Sequence, residues 1–295
     1  MKYIYQKKIS QNLKKNIKKP VIISIPHSGR DYSLKYTKNN ILKGNDVRCS
    51  EDPFVDILFD KEFLNNFSFF IARFPRSFVD LNRGPYEINH ETFSNIPKNF
   101  KISETTNNMN GYGVIPSKIG SKKLYGKSLS WKNYNYRMKD YHNLYYDLIN
   151  QEIKKLKNIY NEIIIIDFHS MPSQTISGPL NYPKFVLGDL FGKSCSHIYK
   201  RMIKNYFDNK KTQLSINYPY AGKYFLEQFG KPIHGINAIQ FEIRRDLYMN
   251  ESEYTLKKDK LYNLKVFLSE FLKFVEEFTI KRNYKDIAAE WLITY

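Results

Sequence analysis

Two short motifs place a histidine directly after a run of apolar residues. In EIIIIDFHS, four isoleucines lead to Asp167 and His169, and in VIISIPHSG a similar run leads to His27. A lone histidine in such a place is more often a capping or core group than a metal ligand. Two of them, each followed by serine, indicate a metal site. Catalytic zinc usually has three protein ligands of histidine and carboxylate type and leaves one position open.

A third ligand could come from the acidic pair in Ser50-Glu51-Asp52. The same residues before Pro53 are also typical of an ordinary helix start, because proline suits the first turn of a helix. Asp167 has a natural supporting role, since a carboxylate commonly accepts a hydrogen bond from the imidazole of a ligand histidine.

Glu242 lies in the apolar stretch QFEIRR. A buried carboxylate is costly unless it is paired or functional. It could therefore form an ion pair with Arg244 or Arg245. Alternatively, it could be a general base that takes a proton from an activated water and passes it to a leaving amine.

These residues must be positioned by buried strands. Short β-branched or aromatic runs without alternation predict strands covered on both faces. We predict strands at 20–25, 68–74, 162–167, 184–187 and 237–243 and helices at 53–66, 130–157, 193–208 and 257–281.

This alternation of strands and helices predicts an α/β protein. Ligands of open α/β sheets bind beyond the carboxyl ends of the strands. We therefore expect the strand at 162–167 to end at Asp167 and His169 to stand on the loop that follows.

The predicted helix at 130–157 has a plausible apolar face, formed at three- and four-residue spacing by Tyr134, Met138, Tyr141, Tyr145 and Leu148. The segment 97–112 is the most loop-like part of the chain. No linker or internal repeat is visible, so we expect one domain over 1–295.

The formal net charge of +18 would ordinarily suggest nucleic acid or an anionic membrane. The lysines are scattered rather than striped, so we interpret the charge as a compositional bias towards lysine on solvated positions.

Two cysteines form no disulfide framework or CxxC pattern, and the apolar run after the basic N-terminus is too short to span a membrane. We expect a cytoplasmic protein that does not bind membranes.

The chain resembles the N-formylglutamate amidohydrolase family, and the resemblance runs along nearly its whole length. Eight stretches in the same order carry it: VIISIPHSGRDY (21–32), RCSEDPFVDILF (48–59), ARFPRSFVDLNRGPYE (72–87), GVIP (113–116), RMKDYHNL (137–144), IIDFHSMPS (165–173), LGDLFGKSC (187–195) and NYPYAGKYFLEQFGKPIHGINAIQFEIRRDLYM (217–249).

The resemblance implies a role for each matching residue. It assigns zinc to His27, His169 and Asp52, with Glu51 as the alternative acidic ligand. It assigns the general base to Glu242 and polarisation of the scissile carbonyl to Arg76. The remaining assignments are substrate binding by Asn82, Arg83, Arg137 and Arg244, and support of the metal site by Asp167 and Ser28. Arg244 departs from the family, which often has asparagine there.

The implied fold is a three-layer α/β sandwich with a mixed central sheet, like that of the zinc carboxypeptidases and other phosphorylase/hydrolase-like proteins. The implied reaction is zinc-dependent hydrolysis of N-formyl-L-glutamate to formate and L-glutamate, as in histidine degradation. A related zinc deacylase with another N-acyl amino acid substrate is the main alternative, and a basic nucleic-acid-binding module is the remote one.

Overall fold

The computed structural model of the chain describes residues 9–11, 19–174 and 183–293. They belong to two compact units. The first includes Pro26–Pro53 and Phe70–Ile149, and the second includes Gln11–Ile25, Phe54–Phe69 and Asn150–Tyr295.

The described strands are β1 (Ile9–Gln11), β2 (Val21–Ile25), β3 (Ser68–Ala72), β4 (Phe93–Ser94), β5 (Lys118–Ile119), β6 (Lys122–Lys123), β7 (Leu129–Ser130), β8 (Ile163–Met171), β9 (Phe185–Gly188), β10 (Leu214–Ile216), β11 (Ile236–Arg244), β12 (Met249–Asn250) and β13 (Thr255–Leu256). The described α-helices are α1 (Leu34–Thr37), α2 (Asn45–Arg48), α3 (Lys61–Leu64), α4 (Thr106–Met109), α5 (Trp131–Arg137), α6 (Leu144–Lys157), α7 (His197–Asn209), α8 (Tyr224–Phe229) and α9 (Lys258–Ile293).

The main sheet has the strand order β1-β3-β2-β8-β11-β9-β10. β8 is parallel to both β2 and β11, whereas β9 is antiparallel to β11. The fold is therefore α/β with a mixed sheet, which confirms the fold class expected from the sequence. All nine residues of β8 are buried, in agreement with its almost continuous apolar run.

One face of β8 and β11 carries the aromatic core of the second unit. Phe168 and Phe241 are in register on the two strands, and their ring centroids are 5.6 Å apart. Phe59 packs edge-on against Phe168, and Phe271 of α9 stacks on Phe241 with centroids 5.1 Å apart. Because successive side chains of a strand alternate between faces, Asp167, His169 and Glu242 lie on the opposite face.

The predicted end of the strand at Asp167 is wrong, because β8 continues to Met171. Its last residues pair with β11 as far as the partners Met171 and Arg244. Those pairings satisfy the backbone N–H and C=O groups of the DFHSM stretch within the sheet. His169 is consequently a strand residue, and its direction is set by the pleat rather than by a loop.

The predicted helix at 53–66 is also wrong. Phe54 has a left-handed φ of 64°, which interrupts any helix begun at Pro53. The segment instead forms a single 3₁₀ turn, Val55–Ile57, and the short helix α3.

The predicted helix at 130–157 is present, but it contains a π-helical turn at Met138–Asn143 between α5 and α6. A π turn adds a residue to the helical repeat and shifts every later side chain around the axis. The predicted apolar face therefore holds as far as Tyr145 and then fails. Leu148 is only half-buried, and Ile149 is fully buried in its place.

The remaining predicted helices correspond to α7 and α9, and α9 is longer than expected. The loop-like segment at 97–112 holds one helical turn, α4, whose start is closed by a capping box at Thr105. Within the described ranges, no helix has the length and apolar character needed to cross a bilayer.

Candidate metal centre

His27 follows β2 and is completely buried. Its Nε2 lies 2.9 Å from Oδ1 of Asp80, and its Nδ1 lies 3.4 Å from Oδ2 of Asp52. The backbone N–H of Asp52 also donates to the carbonyl of His27 at 3.0 Å. The loop after β2 and the SED segment are thus held together by both backbone and side-chain contacts.

Gly29, the last residue of the PHSG motif, lies where a larger residue would not fit. A Cβ at this position would lie 2.1 Å from the carbonyl oxygen of Phe74, far inside contact distance. The chain just after His27 therefore passes against another backbone segment at a distance that only glycine permits.

Asp80 is the central acidic group of the first unit. It pairs with His27 and also accepts from Nε of Arg76 at 3.0 Å and from the backbone N–H of Asn82 at 2.9 Å. Burial by itself would raise the pKa of Asp80, but the charge of Arg76 and the contact with His27 outweigh it and hold that pKa well below its usual range. Asp80 is therefore a carboxylate.

The two acidic residues of SED face different partners. Oε1 of Glu51 accepts from the hydroxyl of Tyr32 at 2.7 Å and from Nε of Arg48 at 3.0 Å. Asp52 instead lies against His27 and, at 3.7 Å, the Nη1 of Arg76. This arrangement favours Asp52 over Glu51 as the acidic ligand.

In the second unit, a row of polar side chains crosses the sheet. Asp167 is in register with Ser24 on β2 and with Gln240 on β11, and His169 is in register with Glu242. Residues paired in this way share a face of the sheet. All five side chains are therefore on one face of three adjacent strands.

Asp167 orients His169. Its Oδ2 lies 2.7 Å from Nε2 of His169, and its Oδ1 accepts from the hydroxyl of Ser24 at 2.6 Å. A carboxylate behind an imidazole fixes the ring and its tautomer, as is usual for metal-ligating histidines. His27 and His169 thus each have an aspartate partner, Asp80 and Asp167 respectively.

Glu242 is 6% exposed. The amide of Gln240, two residues earlier on the same face, donates to its Oε1 at 2.8 Å. Of the two arginines expected as ion-pair partners, Arg244 donates to Asp246 at 2.7 Å and Arg245 donates to Ser170. The neutral amide of Gln240 leaves the charge of Glu242 in place, as a general base requires, so the general-base role stays a prediction beside the ion-pair interpretation.

His27, Asp52 and His169 form one buried group. Each offers a ligand atom, and these atoms all lie within 4.8 Å of one another. Two imidazoles and a carboxylate form a donor set of the type that divalent zinc takes in catalytic sites. The group could bind a metal ion, and the aspartates behind both histidines fit that chemistry.

The residues expected to bind substrate have different surroundings. Asn82 is buried, and Arg83 is partly exposed, with its Nε donating to the carbonyl of Tyr112 at 3.0 Å. Arg137 is 1% exposed, donates to the carbonyl of Phe78 and the hydroxyl of Tyr125, and covers the Phe78 ring at 4.2 Å. These contacts are with the interior of the protein, and the substrate-binding role of Arg137 stays a prediction.

Arg244 also makes a contact that the sequence did not predict. Its guanidinium makes two hydrogen bonds to the carboxylate of Asp246, at 2.7 and 3.3 Å. Ser28, which we expected to support the metal site, is buried beside His27, and its backbone carbonyl accepts from the guanidinium of Arg30 at 3.2 Å.

Two residues of the site were missed by sequence reasoning. Asp80 is the first residue of the DLNR motif and could have been found from its place two residues before Asn82. Gln240 precedes Glu242 by two residues in a strand, so the period of two already places both on one face.

The fold and this cluster define an α/β protein with a buried candidate metal centre. A profile of the N-formylglutamate amidohydrolase family matches residues 19–249. The chain belongs to the N-formylglutamate amidohydrolase family.

Individual relatives are distant. The chain is 25% identical over 134 residues to the N-formylglutamate deformylase of Pseudomonas putida, and the match spans 44% of this chain and about half, 49%, of that relative. Its fold is similar to the crystal structure of N-formylglutamate amidohydrolase from Ralstonia eutropha JMP134, with a TM-score of 0.85 at 23% identity over 93% of this chain and 99% of the other. A gene product of Agrobacterium tumefaciens has a TM-score of 0.68 at 14% identity, over 94% and 98% of the two chains.

Proposed function

We propose that the protein is a zinc-dependent amidohydrolase that cleaves N-formyl-L-glutamate to formate and L-glutamate, a reaction of histidine degradation. The observation that carries the proposal is the buried His27–Asp52–His169 group, together with Glu242 in register with His169 on the neighbouring strand. Membership of the family supports the choice of substrate.

In this proposal His27, Asp52 and His169 hold the zinc ion, and Asp80 and Asp167 orient the two imidazoles. A bound zinc ion supplies Lewis acidity towards a carbonyl oxygen and towards water. The nitrogen of each imidazole that faces its aspartate would carry the proton, and the other nitrogen would be the donor to the metal.

Glu242 is the proposed general base. It takes a proton from the water that attacks the formyl carbon and returns that proton to the nitrogen when the carbon–nitrogen bond breaks. Gln240 fixes the carboxylate by donating to one of its oxygens. Arg76, held through its Nε by Asp80, places positive charge close to Asp52, where it can stabilise the oxyanion of the tetrahedral intermediate.

Asn82 and Arg83 are the proposed binding residues for a substrate carboxylate, since a planar guanidinium can make two parallel hydrogen bonds to that group. Arg244 is a weaker candidate for the second carboxylate of glutamate, because its guanidinium makes two hydrogen bonds to the carboxylate of Asp246. This pairing keeps open the alternative of a related deacylase that acts on a different N-acyl amino acid.

The test is a panel of substrates assayed on protein loaded with zinc. The panel contains N-formylglutamate, N-formylaspartate, N-formylmethionine and N-acetylglutamate, and release of the free amino acid is measured. We expect the highest kcat/KM for N-formylglutamate. The matched control is Glu242→Gln, which should keep zinc and lose about 10²–10⁴-fold in kcat, as for a lost general base.

A preference for another member of the panel would replace N-formylglutamate with that substrate and support the related deacylase. Absence of hydrolysis throughout the panel, with zinc bound, would overturn the proposed function. Nearly unchanged turnover by Glu242→Gln would remove Glu242 as the base.

A further inference from the structure

The helix formed by α5, the π turn and α6 is linked to the segment 77–85, which contains the DLNR motif, by side-chain hydrogen bonds to backbone carbonyls. Tyr134 donates to Pro85 at 2.7 Å, Arg137 to Phe78 at 2.9 Å, His142 to Arg83 at 2.9 Å and Tyr146 to Leu81 at 2.6 Å.

These four donors span thirteen residues of one helix, but all reach the same nine-residue segment. In a regular α-helix, Arg137 and Tyr146 would point about 180° apart, because they are nine residues apart at 3.6 residues per turn. The π turn at Met138–Asn143 lies between them and reduces that offset by widening the helix. The π turn therefore allows side chains before and after it to face the same segment, 77–85.

The last two donors bracket the proposed substrate-binding pair. Tyr146 holds the carbonyl of the Leu81–Asn82 peptide, and His142 holds the carbonyl of the Arg83–Gly84 peptide. The peptide planes on both sides of Asn82-Arg83 are therefore fixed from the helix. The N–H of Asn82 is fixed separately by Asp80.

His142 and Tyr146 also support each other. Their rings stack with centroids 4.7 Å apart and an angle of 18° between the planes. The carbonyl of Arg83 can only accept a hydrogen bond, so Nε2 of His142 carries the proton. Burial lowers the pKa of His142, which is consistent with a neutral ring in this position.

Tyr145 provides an internal comparison. It neighbours Tyr146, is fully buried and also donates its hydroxyl to a backbone carbonyl, that of Phe70 at 3.0 Å. Phe70 lies in β3, outside the segment 77–85. The two tyrosines thus make the same kind of bond from the same helix, and only one of them holds the DLNR motif.

We propose that His142 and Tyr146 are positioning residues that hold Asn82 and Arg83 in the orientation that recognises the substrate carboxylate. This inference rests on the proposed function and adds the device that orients its binding residues. Both act through the backbone of the DLNR motif and touch neither substrate nor metal.

The experiment compares His142→Phe, Tyr146→Phe and the matched control Tyr145→Phe. Each tyrosine variant loses one buried hydroxyl and should lose similar stability. His142→Phe and Tyr146→Phe should raise KM for N-formylglutamate about 10-fold or more with a smaller change in kcat, since misplaced binding residues weaken substrate positioning. Tyr145→Phe should leave KM within about 2-fold, as expected for a bond remote from the binding residues.

Two further measurements separate positioning from general damage. His142→Gln retains an N–H donor near Nε2 and should restore most of the KM lost in His142→Phe. Amide hydrogen exchange, which does not depend on activity, should accelerate in residues 77–85 in His142→Phe and Tyr146→Phe and remain unchanged there in Tyr145→Phe.

The positioning inference would be overturned by equal increases of KM in all three phenylalanine variants. It would also be overturned by unchanged KM and unchanged exchange in His142→Phe and Tyr146→Phe. In either case, an active wild-type protein would leave the proposed function standing. A wild-type protein that hydrolyses no member of the panel would overturn the proposed function itself and, with it, the role assigned to the positioned pair.

Discussion

At the scale of single residues, adjacent side chains of the same chemical type have different contact partners. Glu51 and Asp52 are both acidic, both buried and neighbours in sequence, yet Glu51 accepts from Tyr32 and Arg48 while Asp52 faces His27. The position of each carboxylate, rather than its type, decides which of them could contact a metal.

Replacing each of the two separately tests this assignment. Asp52→Asn should lower zinc stoichiometry or weaken zinc affinity strongly, because an amide oxygen is a poorer, uncharged ligand. Glu51→Gln is the matched control and should keep bound zinc while losing stability, since Arg48 would lose its acidic partner. Metal content and competition with a chromophoric chelator measure both. Loss of zinc in Glu51→Gln but not in Asp52→Asn would reverse the assignment.

At the scale of the elements, the sheet and the loops after its strands fix the site. The register of β8 with β11 sets His169 beside Glu242, and the close backbone passage at Gly29 sets the loop that carries His27. Backbone structure therefore contributes to the placement of both histidines.

Gly29→Ala should disturb this arrangement. The new methyl group would meet the carbonyl oxygen of Phe74, and since that neighbour is backbone, we expect the protein to lose about 1–3 kcal/mol of stability, as for overpacked positions. Zinc affinity should fall with it, because His27 lies two residues away. Urea unfolding with zinc titration measures both.

The control is Gly126→Ala, whose added methyl group would meet only the side chain of Ile41 at 3.0 Å. That side chain can shift, so stability should change little. An unaltered free energy of unfolding and zinc affinity in Gly29→Ala would show that the loop yields easily and does not fix His27.

At the scale of the whole molecule, the lysines behind the charge of +18 are scattered along the sequence. Several of them pair with acidic residues at separate places along the chain: Lys122 with Asp46, Lys204 with Asp208, Lys210 with Glu270 and Lys265 with Asp60. Such exposed pairs contribute little to stability. Compositional bias stays our interpretation of the charge, with nucleic-acid binding as the remote alternative.

Binding to duplex DNA should therefore be weak and non-specific, with a Kd of about 10⁻⁶ to 10⁻⁴ M at physiological salt and a steep loss as salt rises. Fluorescence anisotropy with labelled DNA measures this, and the DNA should not inhibit hydrolysis of N-formylglutamate. A nanomolar Kd at physiological salt would instead favour the nucleic-acid-binding alternative.

The amino-acid sequence determined the α/β class, because the apolar runs of β2, β8, β9 and β11 are local and their length and composition suffice to predict buried strands. It also drew attention to both histidines, to the acidic pair Glu51-Asp52 and to Glu242, because these residues interrupt apolar or motif-rich stretches, while the preference for Asp52 came from the family resemblance. The apolar face of the helix at 130–157 was predicted correctly as far as Tyr145 and failed at Leu148, since no simple spacing rule reveals an added residue in a helical repeat.

Only the tertiary structure decided which groups meet. The pairing of Glu242 with His169 depends on strand register, which is set by the packing of one whole face of the sheet. The pairing of His27 with Asp80 joins residues more than fifty positions apart. The structure also showed that Arg244 pairs with Asp246, two residues later, and that Arg137 is buried in the interior. Sequence spacing gives the side chains that could react, but their directions follow from backbone angles and long-range contacts that form when the chain packs.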